Sequence, residues 1–431
     1  MNNLTERDAK VLWHPYTHIK TAGLPLPIVK AKGAYLYAEN GDKYIDAISS
    51  WWVNTHGHCH PYIAQKVHKQ LKQLDHVIFA GFTHPTAIEL AERLLRHLPE
   101  NQNKIFFSDN GSTAVEVAVK MALQYFYNKG KTKNKIIALK NAYHGDTFGA
   151  MSVSGESIFT APFKDLTFEV LRVETPVKNK EKEAVSQLKK LLIRKDVAAF
   201  IFEPLVLGAG GMLMCGAAVL DEMIALCKKH HVLTIADEVM TGFFRTGRFF
   251  ASDFLKYKPD IFCLSKGITG GTMPLGVTSC TEIIHQAFVD DDVHKTLYHG
   301  HSYTANPVAC SAALASMDLY ERKTFLKNIL RIEVKHNKFV KTIKAHDALI
   351  DVRQQGTIVA LDLKTDEETT YTNKIRQKIS VFFRDKKILI RPLGNVLYLM
   401  PPYCISNNDL DYIYGAVGEF LESLNEDSLK K

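Results

Sequence analysis

Val232-Leu233-Thr234-Ile235-Ala236-Asp237-Glu238 and, a short way on, Ile261-Phe262-Cys263-Leu264-Ser265-Lys266-Gly267 decide how this chain folds. Each is an apolar run too short for a helix, and each ends in charged or small polar residues. A strand apolar on both faces belongs in a sheet covered by helices on both sides. Similar runs stand at Lys104-Ile105-Phe106-Phe107, Lys135-Ile136-Ile137-Ala138-Leu139 and Val197-Ala198-Ala199-Phe200-Ile201-Phe202, with helical patterns such as Thr86–Leu98 among them. That alternation predicts a large α/β domain with a mostly parallel sheet. Before it, Ala34-Tyr35-Leu36-Tyr37 and Tyr44-Ile45-Asp46, divided by Glu39-Asn40-Gly41-Asp42, predict a hairpin. After residue 305, a long helical stretch and the strand candidates Thr357–Leu363 and Asn395–Leu399 predict a smaller α+β domain. Lys178–Lys190 is charge-rich and reads as a solvated loop entering a helix.

A length of 431 residues accommodates two or three domains. Hydrophobic residues at 46% and charged residues at 23% exclude a disordered chain. Lysine and arginine total 54 against 46 acids, and a net +8 over this length is too dilute for a nucleic-acid partner. The N-terminus lacks a cationic start and apolar core, so no secretory leader is expected. The longest uncharged stretch, Pro204–Leu220, is broken by Gly208, Gly210, Gly211 and Gly216, so no membrane association is expected. The 7 cysteines include no Cys-x-x-Cys pair and read as reduced thiols, which points to a cytoplasmic location.

In an open α/β sheet, ligands bind beyond the carboxyl ends of the strands, so the residues after each apolar run carry the chemistry. After Phe107 comes Ser108-Asp109-Asn110-Gly111-Ser112-Thr113. A helix follows with apolar positions 115, 118, 119, 122 and 126 on one face, and Thr113 with Glu116 fits a capping box. A Gly111–Ser112 turn opening a helix offers backbone N–H groups and a hydroxyl to an anion, although a capped helix alone has the same signature. After Leu139, Tyr143 is placed to stack on a planar ligand or to pack at a rim. After Ala236, only one of Asp237 and Glu238 can face a given site, since side chains alternate along a strand. After Leu264, Lys266 leaves a buried strand at the cleft, where desolvation makes its amine a nucleophile suited to a Schiff base. Together these tips specify a ligand with a phosphate, a flat ring, a ring nitrogen that needs an anion, and an aldehyde. Pyridoxal 5′-phosphate (PLP) has all four. Asp237 would face the ring nitrogen, Lys266 the aldehyde, Gly111 and Ser112 the phosphate, and Tyr143 the ring.

His56-Gly57-His58-Cys59-His60 holds metal-ligand residue types, but one-residue spacing lets few of them converge on a tetrahedral ion. Gly57 and Pro61 read there as a turn, and no metal site is expected.

The ordered set Asn110-Gly111-Ser112, Tyr143-His144-Gly145, Glu203-Pro204, Asp237-Glu238-Val239, Thr241-Gly242-Phe243-Phe244-Arg245-Thr246-Gly247 and Ser265-Lys266-Gly267 resembles the class III aminotransferases of PLP fold type I. The resemblance spans essentially the whole chain. It implies a PLP-dependent transaminase with a mostly parallel seven-stranded sheet in a large domain over residues 51–305. The smaller α+β domain is then built from both chain ends, residues 1–50 and 306–431. It also implies a homodimer with shared active sites, in which Gly300, His301 and Ser302 come from the neighbour and Ser302 meets the phosphate. Within the family, Trp13-His14-Pro15-Tyr16-Thr17, Ser49-Ser50-Trp51-Trp52, Ile390-Arg391-Pro392 and Tyr398-Leu399-Met400-Pro401-Pro402-Tyr403 resemble one branch. That branch moves an amino group from S-adenosylmethionine to 8-amino-7-oxononanoate in biotin biosynthesis. On that resemblance Tyr16 orients substrate near the cofactor, while Trp51 and Arg391 form an apolar channel ending in a carboxylate partner. The neighbouring expectation is an ω-amino acid aminotransferase, of the ornithine or 4-aminobutyrate type, using 2-oxoglutarate.

Overall fold

The apolar runs before Asp237 and Ser265 become adjacent parallel strands, Leu233–Asp237 and Ile261–Leu264, with Asp237 level with Cys263. The computed structural model describes residues 4–367 and 371–429, the last turns of the closing helix from residue 425 by backbone alone. The central sheet has 7 strands in the order Gln102–Ser108, Gly276–Thr281, Ile261–Leu264, Leu233–Asp237, Val197–Phe202, Lys135–Leu139, Val170–Val173. Gly276–Thr281 runs against both its neighbours, and the remaining pairings are parallel. Phe200, Phe202 and Phe262 are fully buried in it, and each such ring contributes about 2 kcal/mol of apolar burial.

Two strands of this sheet lack the apolar signature. Val170–Val173 is a short edge strand carrying Arg172. Gly276–Thr281 reads Gly-Val-Thr-Ser-Cys-Thr, yet it is buried throughout. Its hydroxyls are satisfied inside the protein: Thr278 Oγ1 donates to Ala114 O at 2.8 Å and Ser279 Oγ to Gln102 Oε1 at 2.7 Å. Hydrogen-bonded hydroxyls are as compatible with a core strand as methyl groups.

The helix Gly111–Asn128 buries Val115, Ala118, Val119, Ala122 and Phe126 as its spacing predicts. Its cap differs from the expectation. Asn110 is the N-cap, its side chain accepting from Thr113 N at 3.0 Å, while Thr113 Oγ1 accepts from Asn110 N at 3.1 Å. Glu116 lies one turn too far along and instead accepts from Thr147 Oγ1 and from Ala150 N. The helices Pro85–His97 and Glu181–Leu192 fall where periodicity and charge patterning place them.

The predicted hairpin forms between Tyr35–Ala38 and Lys43–Asp46. It is extended by Ile28–Lys32 on one side and on the other by Ile388–Leu389, so one four-stranded sheet joins both ends of the chain. A second, antiparallel sheet pairs Leu349–Gln355, Ile358–Leu363 and Val396–Leu399. The almost wholly buried helix Pro307–Tyr320 packs on Pro61–Gln73 and on the short turn Lys266–Thr269.

Candidate active site

Beyond the carboxyl ends of the central strands lies a cavity of about 740 Å³. Lys266, Asp237, Gly111, Ser112, Tyr143, Tyr16, Trp51 and Arg391 all line it. A side chamber of about 290 Å³ shares Tyr143, Asp146, Phe159 and Tyr371 with it and continues past Ile158 and Gly210. Gly300, His301 and Ser302 do not line this cavity; they lie in the loop before Ala305, with Gly300 and Ser302 exposed.

Asp237 ends its strand with one face of its carboxylate tied down. Oδ2 accepts from the buried His144 Nδ1 at 2.7 Å and Oδ1 from Val239 N at 3.0 Å. Glu238 points the other way, as strand alternation requires, accepting from Thr241 Oγ1, Ala251 N and Ser252 N. Burial nevertheless pushes its carboxyl up to about 7.

Lys266 follows the neighbouring strand with φ 46°, in the left-handed region. A non-glycine residue there costs about 1–2 kcal/mol. The turn is held by the next residue: Gly267 O accepts from Tyr320 Oη at 2.7 Å and from Gly270 N at 2.9 Å. Tyr320 Oη bonds in turn to Thr55 Oγ1 at 2.6 Å, and Ser316 Oγ to His56 Nε2 at 2.9 Å. The Lys266 Nζ lies 5.0 Å from the centre of the Trp52 ring. Burial lowers its basicity, opposed by the charges of Asp237 and Glu203.

Glu203 is buried beside this pair and accepts from Tyr143 N at 3.0 Å and Gly208 N at 2.8 Å. Burial raises its carboxyl to about 7, with Asp237 adding to the rise and His144 opposing it.

At the other end of the cavity floor, backbone approaches closely around Gly111 and Ser112. A Cβ on Gly111 would meet Val239 Cγ1 at 2.7 Å. Gly145 (φ 129°) leaves no room at all, since a Cβ there would stand 2.1 Å from Ser112 Oγ. Ser112 Oγ accepts from Asp146 N at 3.2 Å. The backbone N–H groups and the Ser112 hydroxyl at this helix N-terminus, with the Asp237 carboxylate and the Lys266 amine opening on the same cavity, fit PLP at its phosphate, ring nitrogen and aldehyde.

The opposite wall comes from remote parts of the chain. Tyr16 (φ 52°) donates its hydroxyl to Asp146 Oδ2 at 2.5 Å and lies 3.1 Å from Tyr143 Oη. Burial first, then the Asp146 bond, raises the Tyr16 phenol well above its ordinary range. The Arg391 guanidinium lies 4.9 Å from the Trp51 ring centre, and its Nη2 donates to Tyr371 Oη at 3.2 Å and Tyr16 O at 3.3 Å. Trp52 is buried and donates Nε1–H to Tyr398 Oη at 2.8 Å.

Asp146, Phe159 and Tyr371 were not expected at the site. Phe159 lies in a Gly/Ser-containing loop and Tyr371 in a polar, aperiodic stretch. Neither segment carries a pattern that would single out an aromatic. Asp146 has a local signal, since it stands three residues past Tyr143 at the same strand end.

The histidines of His56-Gly57-His58-Cys59-His60 diverge: His56 bonds to Ser316, whereas His58 bonds to Asp46 at 2.7 Å. Among the described residues no group of three or more His, Cys, Asp or Glu gathers as a metal site. Among those residues, too, no helix is long and apolar enough to cross a membrane.

The model of the family described as aminotransferase class-III matches residues 17–421. The chain is 45% identical to the adenosylmethionine-8-amino-7-oxononanoate aminotransferase of Synechococcus elongatus, over 96% of this chain and 99% of that one. It is 39% identical to the enzyme of the same name from Staphylococcus aureus, over 94% of each. Among solved structures, the adenosylmethionine-8-amino-7-oxononanoate aminotransferase of Methanocaldococcus jannaschii aligns with a TM-score of 0.93 at 36% identity, over 97% of this chain and 98% of that one. An omega transaminase from Pseudomonas jessenii in complex with PMP aligns with a TM-score of 0.93 at 25% identity, over 98% of each.

Proposed function

The chain belongs to the class III aminotransferases, which are PLP-dependent, and from that premise we propose that it transfers an amino group from S-adenosylmethionine to 8-amino-7-oxononanoate in biotin biosynthesis. The observation that carries this reading is a single cavity in which Lys266 and Asp237 meet a remote wall of Tyr16, Trp51 and Arg391. The names of the relatives at 35–45% identity support the substrates. The fold alone is shared with omega transaminases, so it does not favour the ω-amino acid reading.

PLP supplies an electrophilic aldehyde carbon and a ring that accepts electron density. Lys266 would hold it through its amine and, when that amine is free, would serve as the base and then the acid for the donor's α proton. Burial lowers the basicity of this amine, the direction that favours a base. Asp237 supplies negative charge at the ring nitrogen, and His144 behind it fixes the carboxylate's direction. Gly111 and Ser112 hold the phosphate. Arg391 takes the carboxylate of the acceptor, with Trp51 and the apolar side chamber covering its aliphatic chain. Tyr16, oriented by Asp146, and Tyr143 close the reacting end.

The protein acts as a cytoplasmic homodimer in this reading, with Gly300, His301 and Ser302 of each subunit completing the other's site. Their place off the cavity of their own chain supports this, as does the exposure of Val11, Leu12 and Trp13 near Tyr16 in sequence. The test is to add S-adenosylmethionine, lysine or glutamate separately to the yellow, PLP-loaded enzyme. Bleaching by S-adenosylmethionine, followed by recovery on adding 8-amino-7-oxononanoate, is the expected result. Bleaching by glutamate alone would overturn it.

A further inference from the structure

The segment Ser49–Trp52 presents the two tryptophans of the cavity on strained backbone. Ser49 (φ 53°), Ser50 (φ 60°, ψ −105°) and Trp52 (φ 66°) all fall at positive φ, which residues with side chains rarely adopt. Such a cluster persists only where its surroundings over-determine it. Ser49 Oγ donates to Met400 O at 2.8 Å and Arg245 Nη2 to Trp52 O at 3.2 Å, and the turn between them is held by one fully buried carboxylate, Asp46. Its Oδ1 accepts from Ile48 N at 3.1 Å and its Oδ2 from Ser50 N at 2.7 Å. The same Oδ2 lies 2.7 Å from His58 Nε2.

Both members of this pair are fastened to the N-terminal hairpin. Asp46 N donates to Ala34 O at 2.8 Å. His58 N donates to Gly33 O at 2.7 Å, and Gly33 N returns a bond to His58 O at 3.1 Å. Gly57 (φ 85°) has to be glycine for this approach, since a Cβ would come within 2.9 Å of Gly33 O. Neither Asp46 nor His58 lines the cavity. Yet the segment they hold sets where Trp51 meets Arg391, and where Trp52 meets Lys266 and Tyr398.

We propose that Asp46, clamped by His58, is a positioning residue that fixes the tryptophan wall and so sets affinity for the acceptor without touching it. The proposal rests on the substrate reading given above. Loosening the segment displaces the apolar wall and the ring beside Arg391 together, whereas the strand-tip groups stay in place. The loss therefore falls on binding more than on the chemical step.

The chain has 3 tryptophans, so in a Trp13→Phe background the emission of the PLP-loaded enzyme reports on Trp51 and Trp52 alone. Asp46→Asn turns one acceptor of the clamp into a donor, His58→Ala removes the clamp but keeps both acceptors, and His58→Gln restores a side-chain donor. Asp46→Asn and His58→Ala are expected to red-shift the emission and raise KM for 8-amino-7-oxononanoate about 10-fold, with kcat little changed. His58→Gln is expected to recover most of both. Unchanged emission and KM in the first two variants overturn the proposal. So does a fall in kcat and thermal midpoint with KM unmoved, the mark of general destabilisation. If Asp46→Asn does not fold, His58→Ala against His58→Gln decides the matter. If the unmodified enzyme fails to turn over these substrates, the substrate reading falls, while the emission arm still judges the clamp.

Discussion

On one side of the cavity, Gly111, Ser112, Tyr143, Asp237 and Lys266 each stand at or within a few residues of the end of a strand in one sheet. On the other side, Tyr16, Tyr371 and Arg391 reach the cavity from loops and Trp51 from the short distorted turn Ser49–Trp52, all scattered along the chain. The first group inherits its place from sheet geometry, since parallel strands deliver their carboxyl ends to one edge. The second has no such rule and is held by particular contacts, such as Arg391 with Trp51 and Tyr371. On the proposed function the comparison becomes a division of labour, with reaction chemistry assigned to the strand tips and substrate recognition to the assembled wall.

Lys266→Ala puts that division to its most severe test. Losing both the attachment point and the proton carrier should lower kcat by about 10⁴-fold or more, measured as single turnovers with PLP supplied in excess. Asp237→Asn keeps the shape and removes the charge. It should cost about 10²–10³-fold in kcat, with KM nearly unchanged. Arg391→Ala should do the reverse, raising KM for 8-amino-7-oxononanoate about 10- to 100-fold through loss of charge-assisted hydrogen bonds. Should Arg391→Ala lower kcat and leave KM alone, the two halves are not separable in this way.

The smallest effect sharpens the comparison by touching the scaffold shared by both halves. His56 is buried against Tyr320 and Ser316, and burial lowers its pKa from 6.5 to about 3, with His60 and Arg245 contributing. A histidine held neutral contributes stability that is intact above pH 6.5 and is lost as the pH falls toward 3. Relative to His56→Gln, the unmodified protein should lose about 2 kcal/mol by about pH 5, read from urea unfolding curves. The raised carboxyls of Glu203 and Glu238 act in the opposite sense, losing stability as the pH rises from 4.5 toward 7, and they cancel in the difference.

Reading the sequence recovered the central strands wherever burial was written in apolar residues. It passed over Gly276–Thr281, because hydroxyls satisfied by Ala114 O and Gln102 Oε1 do not look apolar. It placed the capping box at Thr113 and Glu116, one turn later than Asn110 and Thr113, since several polar residues there can serve as caps. Tyr371 and Phe159 escaped because a loop aromatic has no periodicity to betray it, and its partner, Arg391 or Tyr16, lies outside its own segment.

The order of the strands' polar ends, and hence the meeting of an amine, an acid and a glycine–serine turn at one edge, followed from local pattern alone, because alternation and burial act over a few residues. Which of the remote aromatics face that edge, and what holds Ser49–Trp52 in its strained form, was decided only in three dimensions. The aromatic wall joins residues as remote as Trp51 and Arg391, and even the short-range bonds of Asp46 to Ile48 and Ser50 form only because the folded core buries that carboxylate.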